Sequence, residues 1–256
     1  MKRCIWCESL NNSQAIEHII PEALGCPSDF VLKDGSVCEK CNNNLGHLDQ
    51  AVIDEFDIVA FQAGVRRKRN RPPEVKSRGN LVGGYGTESK FLLLNMESYP
   101  VKGPKGSIIA PYRGMDRNVK GTIQKVGDVY KLSFSVQMGK NKKFRRGIVK
   151  IGFSSFAYFM GLQLALLRDF DPLRQFVKTG EGDRPILLML SADANYLNCV
   201  WPPYQDDKGR YAIIFRIAFV EFLIDLSPQA NLFPELKAKA EHMYGKDGWG
   251  YLPLDV

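Results

Sequence analysis

No stretch of this chain reaches the roughly 18 consecutive apolar residues that a membrane-spanning helix needs. The longest candidate, 151–167, is interrupted by Gly152, Ser154, Ser155, Gly161 and Gln163. No apolar run follows Met1-Lys2-Arg3, which leads straight into a cysteine pair, so the start does not read as a signal peptide and a cytoplasmic, intracellular protein with no membrane partner is expected. No internal repeat with a period of about 20 to 50 residues is visible, which argues against a solenoid or propeller. Cysteine is scarce, six in 256 residues, and in an intracellular setting paired cysteines favour metal over disulfide. The apolar content of 45% and the aromatic content of 11% are ordinary for a globular protein. The length admits one large domain or two small ones.

Four of the six cysteines form two pairs, Cys4-Ile-Trp-Cys7 and Cys38-Glu-Lys-Cys41. Each Cys-x-x-Cys pair makes a tight turn that aims two sulfurs at one point. Two such pairs predict one tetrahedral Zn2+, structural in role because protein fills all four positions. Cys26 and Cys199 have no partner at that spacing and are expected to be small buried hydrophobes. Between the pairs lies Glu17-His18-Ile19-Ile20-Pro21, and Asn42 directly follows Cys41. A structural zinc requires none of these. Glu17 and Asn42 offer oxygen donors, which a hard divalent cation prefers. A histidine beside them is the side chain most often used as a general base near neutral pH.

The stretch from Cys4 to Asp49, with its Cys-x-x-Cys, Glu-His-Ile-Ile-Pro and Cys-x-x-Cys-Asn elements, resembles the zinc-knuckle branch of the HNH (ββα-metal) endonucleases. The resemblance implies a strand–strand–helix module and a metal-dependent hydrolysis of phosphodiester bonds in nucleic acid, with double-stranded DNA the expected partner and a 3′ hydroxyl left behind. It further implies that His18 is the general base and that Glu17 and Asn42 hold a catalytic Mg2+ or Mn2+. Strand alternation sends neighbouring side chains to opposite faces, so Glu17 and His18 share a site only if the backbone bends between them and Pro21. The chain departs from the family pattern at 32–37, where the asparagine that braces the loop before the second knuckle is missing and Asp34 or Ser36 would have to stand in. One helical turn after Asn42 stands Gly46, without a side chain, and His47 lies about 140° round the helix. Asp49 returns near the face of Asn42 but about 10 Å along the axis, which suits an orienting or structural residue better than a direct ligand. A lone site of this kind cuts one strand at a time, so double-strand cleavage would need a homodimer or two encounters.

The net charge of +7 is unevenly placed. Residues 1–50 carry four basic side chains against seven acidic ones, a net of −3 before thiolates are counted. The positive charge gathers in two later clusters. One contains Arg66, Arg67, Lys68, Arg69 and Arg71; the other contains Lys142, Lys143, Arg145 and Arg146. Either could neutralise phosphates and give salt-sensitive affinity for nucleic acid.

Periodicity places short strands at 13–20 and 30–32, an Asp34-Gly35 turn, and a helix from Glu39 to about residue 63. Strands are expected at 81–82, 90–96, 107–110, 121–126, 129–137 and 186–190, and over the long run 211–226. Helices are expected at 146–168, 172–177 and 232–244. The fold class is therefore α+β: a zinc-bound nuclease module (1–64), a basic linker (65–80) and a mainly antiparallel sheet domain with packed helices that positions substrate (81–256). Two other readings compete with the nuclease. One is a non-catalytic zinc-knuckle module that binds nucleic acid or protein, which would need the four cysteines but not Glu17, His18 or Asn42. The other is an interaction protein whose basic clusters face an acidic partner.

Overall fold

A computed structural model describes residues 2–62, 65, 74–76, 81–85, 92–96, 100–103, 106–109, 119–126, 129–136, 139, 141–190, 198–244 and 249–252. The chain forms two compact units, one made of residues 1–53 and 139–256, the other of residues 54–138. The first cysteine pair lies between β1 (Lys2–Arg3) and β2 (Leu10–Asn11), which pair antiparallel. β3 (Glu17–His18) pairs antiparallel with β4 (Val31–Leu32), placing Glu17 opposite Leu32 and His18 opposite Val31. α1 (Glu39–Gln62) begins at the second cysteine pair. The segment thus contributes short antiparallel strand pairs and a helix to an α+β fold.

In the unit 54–138, β5 (Glu74–Lys76), β6 (Leu81–Tyr85) and β7 (Leu92–Met96) form an antiparallel three-stranded sheet. β8 (Pro100–Gly103) pairs with β9 (Gly106–Ile109), and β10 (Val119–Val126) with β11 (Val129–Val136). The strands expected in this region are all present.

The chain then returns to the first unit with α2 (Lys142–Met160), α3 (Leu162–Ala165) and α4 (Asp171–Thr179). A single helix over 146–168 was the sequence expectation. The helix starts earlier because the Asn141 side chain caps it, accepting from the Lys143 N–H at 3.0 Å. It stops at Met160 because Gly161 takes φ +85°, a conformation favoured only by glycine.

A sheet of β12 (Ile186–Leu190), β13 (Cys199–Val200), β14 (Tyr204–Gln205), β15 (Tyr211–Ile217), β16 (Val220–Asp225) and β17 (Trp249–Leu252) completes the unit, together with α5 (Phe233–Tyr244). The strand order is β13-β15-β16-β12-β17, with β14 also on β15, and every pairing is antiparallel. The run 211–226 is two strands, not one. They reverse at Ala218-Phe219, where Ala218 has φ +58° and no glycine, proline or asparagine marks the turn.

Alternation along β15 and β16 gives the sheet two apolar faces. Ala212 and Leu223 join Leu187, Met189 and the α5 residues Leu236 and Ala240 in one buried cluster. Ile213 and Ile224 face the other way, onto α2. Between Phe144 and Ala157, α2 is buried almost all round, as expected of a helix with packing on more than one side. Two glycines permit this. A Cβ at Gly152 would lie 2.7 Å from the Ile224 side chain in the sheet; one at Gly147 would lie 2.8 Å from the Leu48 carbonyl oxygen in α1. The helix is therefore held between the sheet and the cysteine-bearing segment.

The core of the N-terminal segment continues into α2: Trp6 meets Phe153 edge-on at 5.4 Å, and Phe153 continues into Phe156 and Phe170. No helix among the described residues is long and apolar enough to cross a membrane.

Gly147→Ala is expected to destabilise the zinc-loaded protein by about 1–3 kcal/mol, because the added methyl would meet the β-branched Val52 side chain at 2.5 Å and the Leu48 carbonyl oxygen, which cannot rotate away, at 2.8 Å. Gly46→Ala, whose methyl would meet nothing within 4 Å, is expected to stabilise α1 by about 1 kcal/mol. Urea denaturation of the two variants beside the parent checks both signs.

Candidate metal centre and catalytic site

The sulfurs of Cys4, Cys7, Cys38 and Cys41 all lie within 4.8 Å of one another, and those of Cys7 and Cys38 are 3.6 Å apart. Tetrahedral Zn2+ with bonds of about 2.3 Å would separate its sulfurs by about 3.8 Å, so the cluster has the dimensions of a zinc site. Each turn is built to present sulfur. In the first, Trp6 N–H points at Cys4 Sγ (3.4 Å), Glu8 N–H returns to the Cys4 carbonyl (2.8 Å), and Glu8 adopts φ +60°. In the second, Cys41 N–H points at Cys38 Sγ (3.4 Å). Burial pushes the Cys4 and Cys41 thiols up, and repulsion from neighbouring sulfurs adds to it. Burial acts the same way on Cys7, but hydrogen bonds from Ser9 outweigh it and hold Cys7 at about 7. The raised thiols of Cys4 and Cys41 shed their protons readily only to a cation, which links metal binding to their deprotonation.

Cys26 and Cys199 stand apart from the cluster. Both are half-buried and not fully buried as expected, and Cys26 Sγ lies 3.3 Å from the Phe30 carbonyl oxygen.

The turn before the second knuckle is braced from an unexpected quarter. Asp34 and Gly35 both have positive φ, as the Asp-Gly signal implies. The asparagine that secures them is Asn11, whose Nδ2 donates to the Gly35 carbonyl at 3.0 Å while its Oδ1 accepts from Ser13 N–H. Ile5 N–H donates to the Ser36 carbonyl at 3.0 Å, tying one knuckle to the other. Asn198 fastens the loop after Pro21: its Nδ2 donates to the carbonyls of Leu24 and Gly25, the latter at 3.2 Å, and its Oδ1 accepts from Ala218 N–H. Neither Asn11 nor Asn198 carries a sequence signal beyond a residue type suited to bracing turns.

The knuckle geometry brings Asn42 to β3. Its Nδ2 lies 3.5 Å from the carbonyl oxygen of Ile16, the residue before Glu17-His18. An open groove of about 720 Å³ runs beside it, lined by Asn11, Ser13, Gln14, Lys40, Asn42 and Asn43. Glu17 and His18 occupy different environments. His18 is half-buried, whereas Glu17 is only 2% exposed and faces the protein interior.

There Glu17 meets Lys150, a residue of α2 that is 1% exposed. Lys150 Nζ is ion-paired with Glu17 Oε1 and donates to both oxygens of Asp49, at 2.7 and 2.8 Å. Burial alone would drive the Lys150 ammonium to lose its proton; the charges of Glu17 and Asp49 more than offset this and raise its pKa, while burial, aided by the Asp49 charge, also raises the Glu17 carboxyl against the pull of Lys150. A second ion pair, Glu8 to Arg174 at 3.1 Å, fixes the first knuckle to α4.

The basic residues separate by environment. Lys142 and Lys143 are exposed at the start of α2. Arg146 is spent on α4, donating to the carbonyls of Val177 (2.9 and 2.7 Å) and Lys178 (2.6 Å) at that helix's end. Arg145 is 1% exposed and lies 3.9 Å from Asp183. Arg66, Arg67, Lys68, Arg69 and Arg71 lie outside the described residues. Comparisons with protein-family models, curated proteins and solved structures give no match for this chain.

One tightly held zinc ion per chain is the expected metal content. Its removal by a strong chelator should loosen the N-terminal segment, because the thiols would then repel or reprotonate and only hydrogen bonds and packing would hold the two knuckles together. Cys41→Ser should reduce zinc content and lower the melting temperature. Elemental analysis paired with circular dichroism checks both.

Proposed function

We propose that this protein is a metal-dependent HNH-type endonuclease that hydrolyses phosphodiester bonds of nucleic acid, most readily DNA. The observation that carries the reading is the meeting of the second knuckle with β3, where Asn42 reaches the carbonyl of the residue preceding Glu17-His18. The four-cysteine cluster carries no catalytic duty in this reading. It holds the start of α1 against β3 and so fixes Asn42 relative to His18.

The donor set suits a hard divalent cation such as Mg2+ or Mn2+. Asn42 offers an amide oxygen, and Glu17 retains a second carboxylate oxygen beyond the one paired with Lys150. A cation bound there would supply positive charge to the phosphate and to the departing 3′ oxygen. His18 takes the proton from the water that attacks phosphorus. The new P–O bond forms as the P–O3′ bond breaks, leaving a 5′ phosphate and a 3′ hydroxyl. Lys142 and Lys143, exposed at the start of α2, would contribute charge for backbone binding.

One observation favours the second reading, a non-catalytic zinc module that binds nucleic acid or protein. Glu17 already has a cationic partner in Lys150, as a purely structural carboxylate would.

The two readings part in a supercoiled-plasmid assay with zinc-loaded protein. Wild type is expected to nick or linearise plasmid in Mg2+ or Mn2+ and to stop in EDTA, and His18→Ala is expected to lose at least about 100-fold in rate. DNA binding without turnover in either ion would establish the binding module instead. In the same preparations, Lys142→Ala/Lys143→Ala should weaken DNA binding and flatten its salt dependence by up to two counterions. Arg146→Ala should chiefly lower the melting temperature.

A further inference from the structure

Lys150 is the least expected group in the molecule. It sits mid-helix with Val149 and Ile151 on either side, both fully buried. Burying an ammonium costs several kcal/mol unless charged partners surround it. A methionine there would fill similar volume without that cost, and such replacements are often neutral or stabilising. Packing alone therefore gives no reason for a lysine at this position. What an apolar residue could not do is hold a carboxylate still.

The geometry supplies that role. Lys150 Nζ takes one oxygen of Glu17 and both oxygens of Asp49, so three ordered contacts fix the ammonium and, through it, the Glu17 side chain. Asp49 lies seven residues after Asn42 on α1, close to the same helical face. A single charged group on α2 thus references β3 to the helix that carries Asn42. Carboxylates that ligate metals are themselves usually held by a further hydrogen-bonding partner, which sets their orientation.

We propose that Lys150, itself fixed by Asp49, is a positioning residue of the nuclease site: it orients the Glu17 carboxylate so that its other oxygen can ligate the divalent cation. This rests on the nuclease reading and deepens it. Lys150 touches neither substrate nor metal, and acts through Glu17.

The test is direct Mn2+ binding to zinc-loaded protein, followed by electron paramagnetic resonance, in wild type, Glu17→Gln, Lys150→Met and Asp49→Asn. Wild type is expected to bind one Mn2+, and Glu17→Gln to lose it. Lys150→Met is expected to weaken binding by 10–100-fold, with zinc content and DNA affinity unchanged. Asp49→Asn should shift binding in the same direction by less, and it decides the matter should Lys150→Met fail to fold. Mn2+ binding in Lys150→Met equal to or tighter than in wild type overturns the proposal while leaving the nuclease reading intact. So does a loss of zinc and DNA affinity in step with Mn2+ in both variants, which would mark the triad as structural only. Absence of both Mn2+ binding and plasmid cleavage in wild type overturns the nuclease reading, and the proposal with it.

Discussion

Four sulfurs from two turns, separated by thirty residues of chain between Cys7 and Cys38, meet within 4.8 Å of one another, and that closure sets the geometry of everything around it. It brings β1 and β2 against the turn at Asp34-Gly35, fixes where α1 begins, and places Asn42 beside the residue that precedes Glu17. The intervening β3–β4 ladder is only two residues long on each side, too short to hold its register unaided. Closure of the four-cysteine cluster supplies what the ladder lacks. The meeting of the four sulfurs thereby bears on the relative placement of carboxylate, imidazole and amide groups that belong to neither cysteine pair.

The second constraint is α2. It packs on the sheet through Gly152 and on α1 through Gly147, and it supplies Phe153 to Trp6 and Lys150 to Glu17. A helix in this position must satisfy its polar groups internally. Arg145 sits near Asp183, Arg146 caps α4, Lys150 takes two carboxylates, and Ser155 donates to the Ile151 carbonyl. Three of these are cations, and in a linear sequence they merge with Lys142 and Lys143 into one basic run. Charge alone could not separate those on the surface from those within. That distinction depends on which helical face meets a neighbour, and the neighbours come from distant parts of the chain.

Features encoded over a few residues were legible beforehand. The cysteine pairs, the Asp34-Gly35 turn, the start of α1 and most strands follow from spacing and local preference. Features that depend on long-range partners were not. Nothing near Lys150 announces Asp49, 101 residues away, and nothing near Asn11 announces Gly35. Other misses were local but ambiguous. Gly161 can sit within a helix or end one, and only its positive φ decides. The reversal at Ala218-Phe219 uses an alanine in the left-handed region, where turn rules expect glycine or asparagine. The catalytic assignments themselves came from motif resemblance; the structure adds the contact between Asn42 and the carbonyl of Ile16 and the unforeseen Lys150.

The interleaving of residues 1–53 with 139–256 also bears on synthesis. As the chain leaves the ribosome, both cysteine pairs emerge early and can take up metal, yet Phe153, Lys150 and Arg174 arrive roughly a hundred residues later. At typical elongation rates of about 5–20 residues per second, the N-terminal segment spends seconds with Trp6 uncovered and Glu17 without its ammonium. A polypeptide interrupted before α2 would carry the zinc turns and the Glu-His pair without the helix that completes their surroundings. The burial of Trp6 and the pairing of Glu17 thereby wait until α2 has been synthesised.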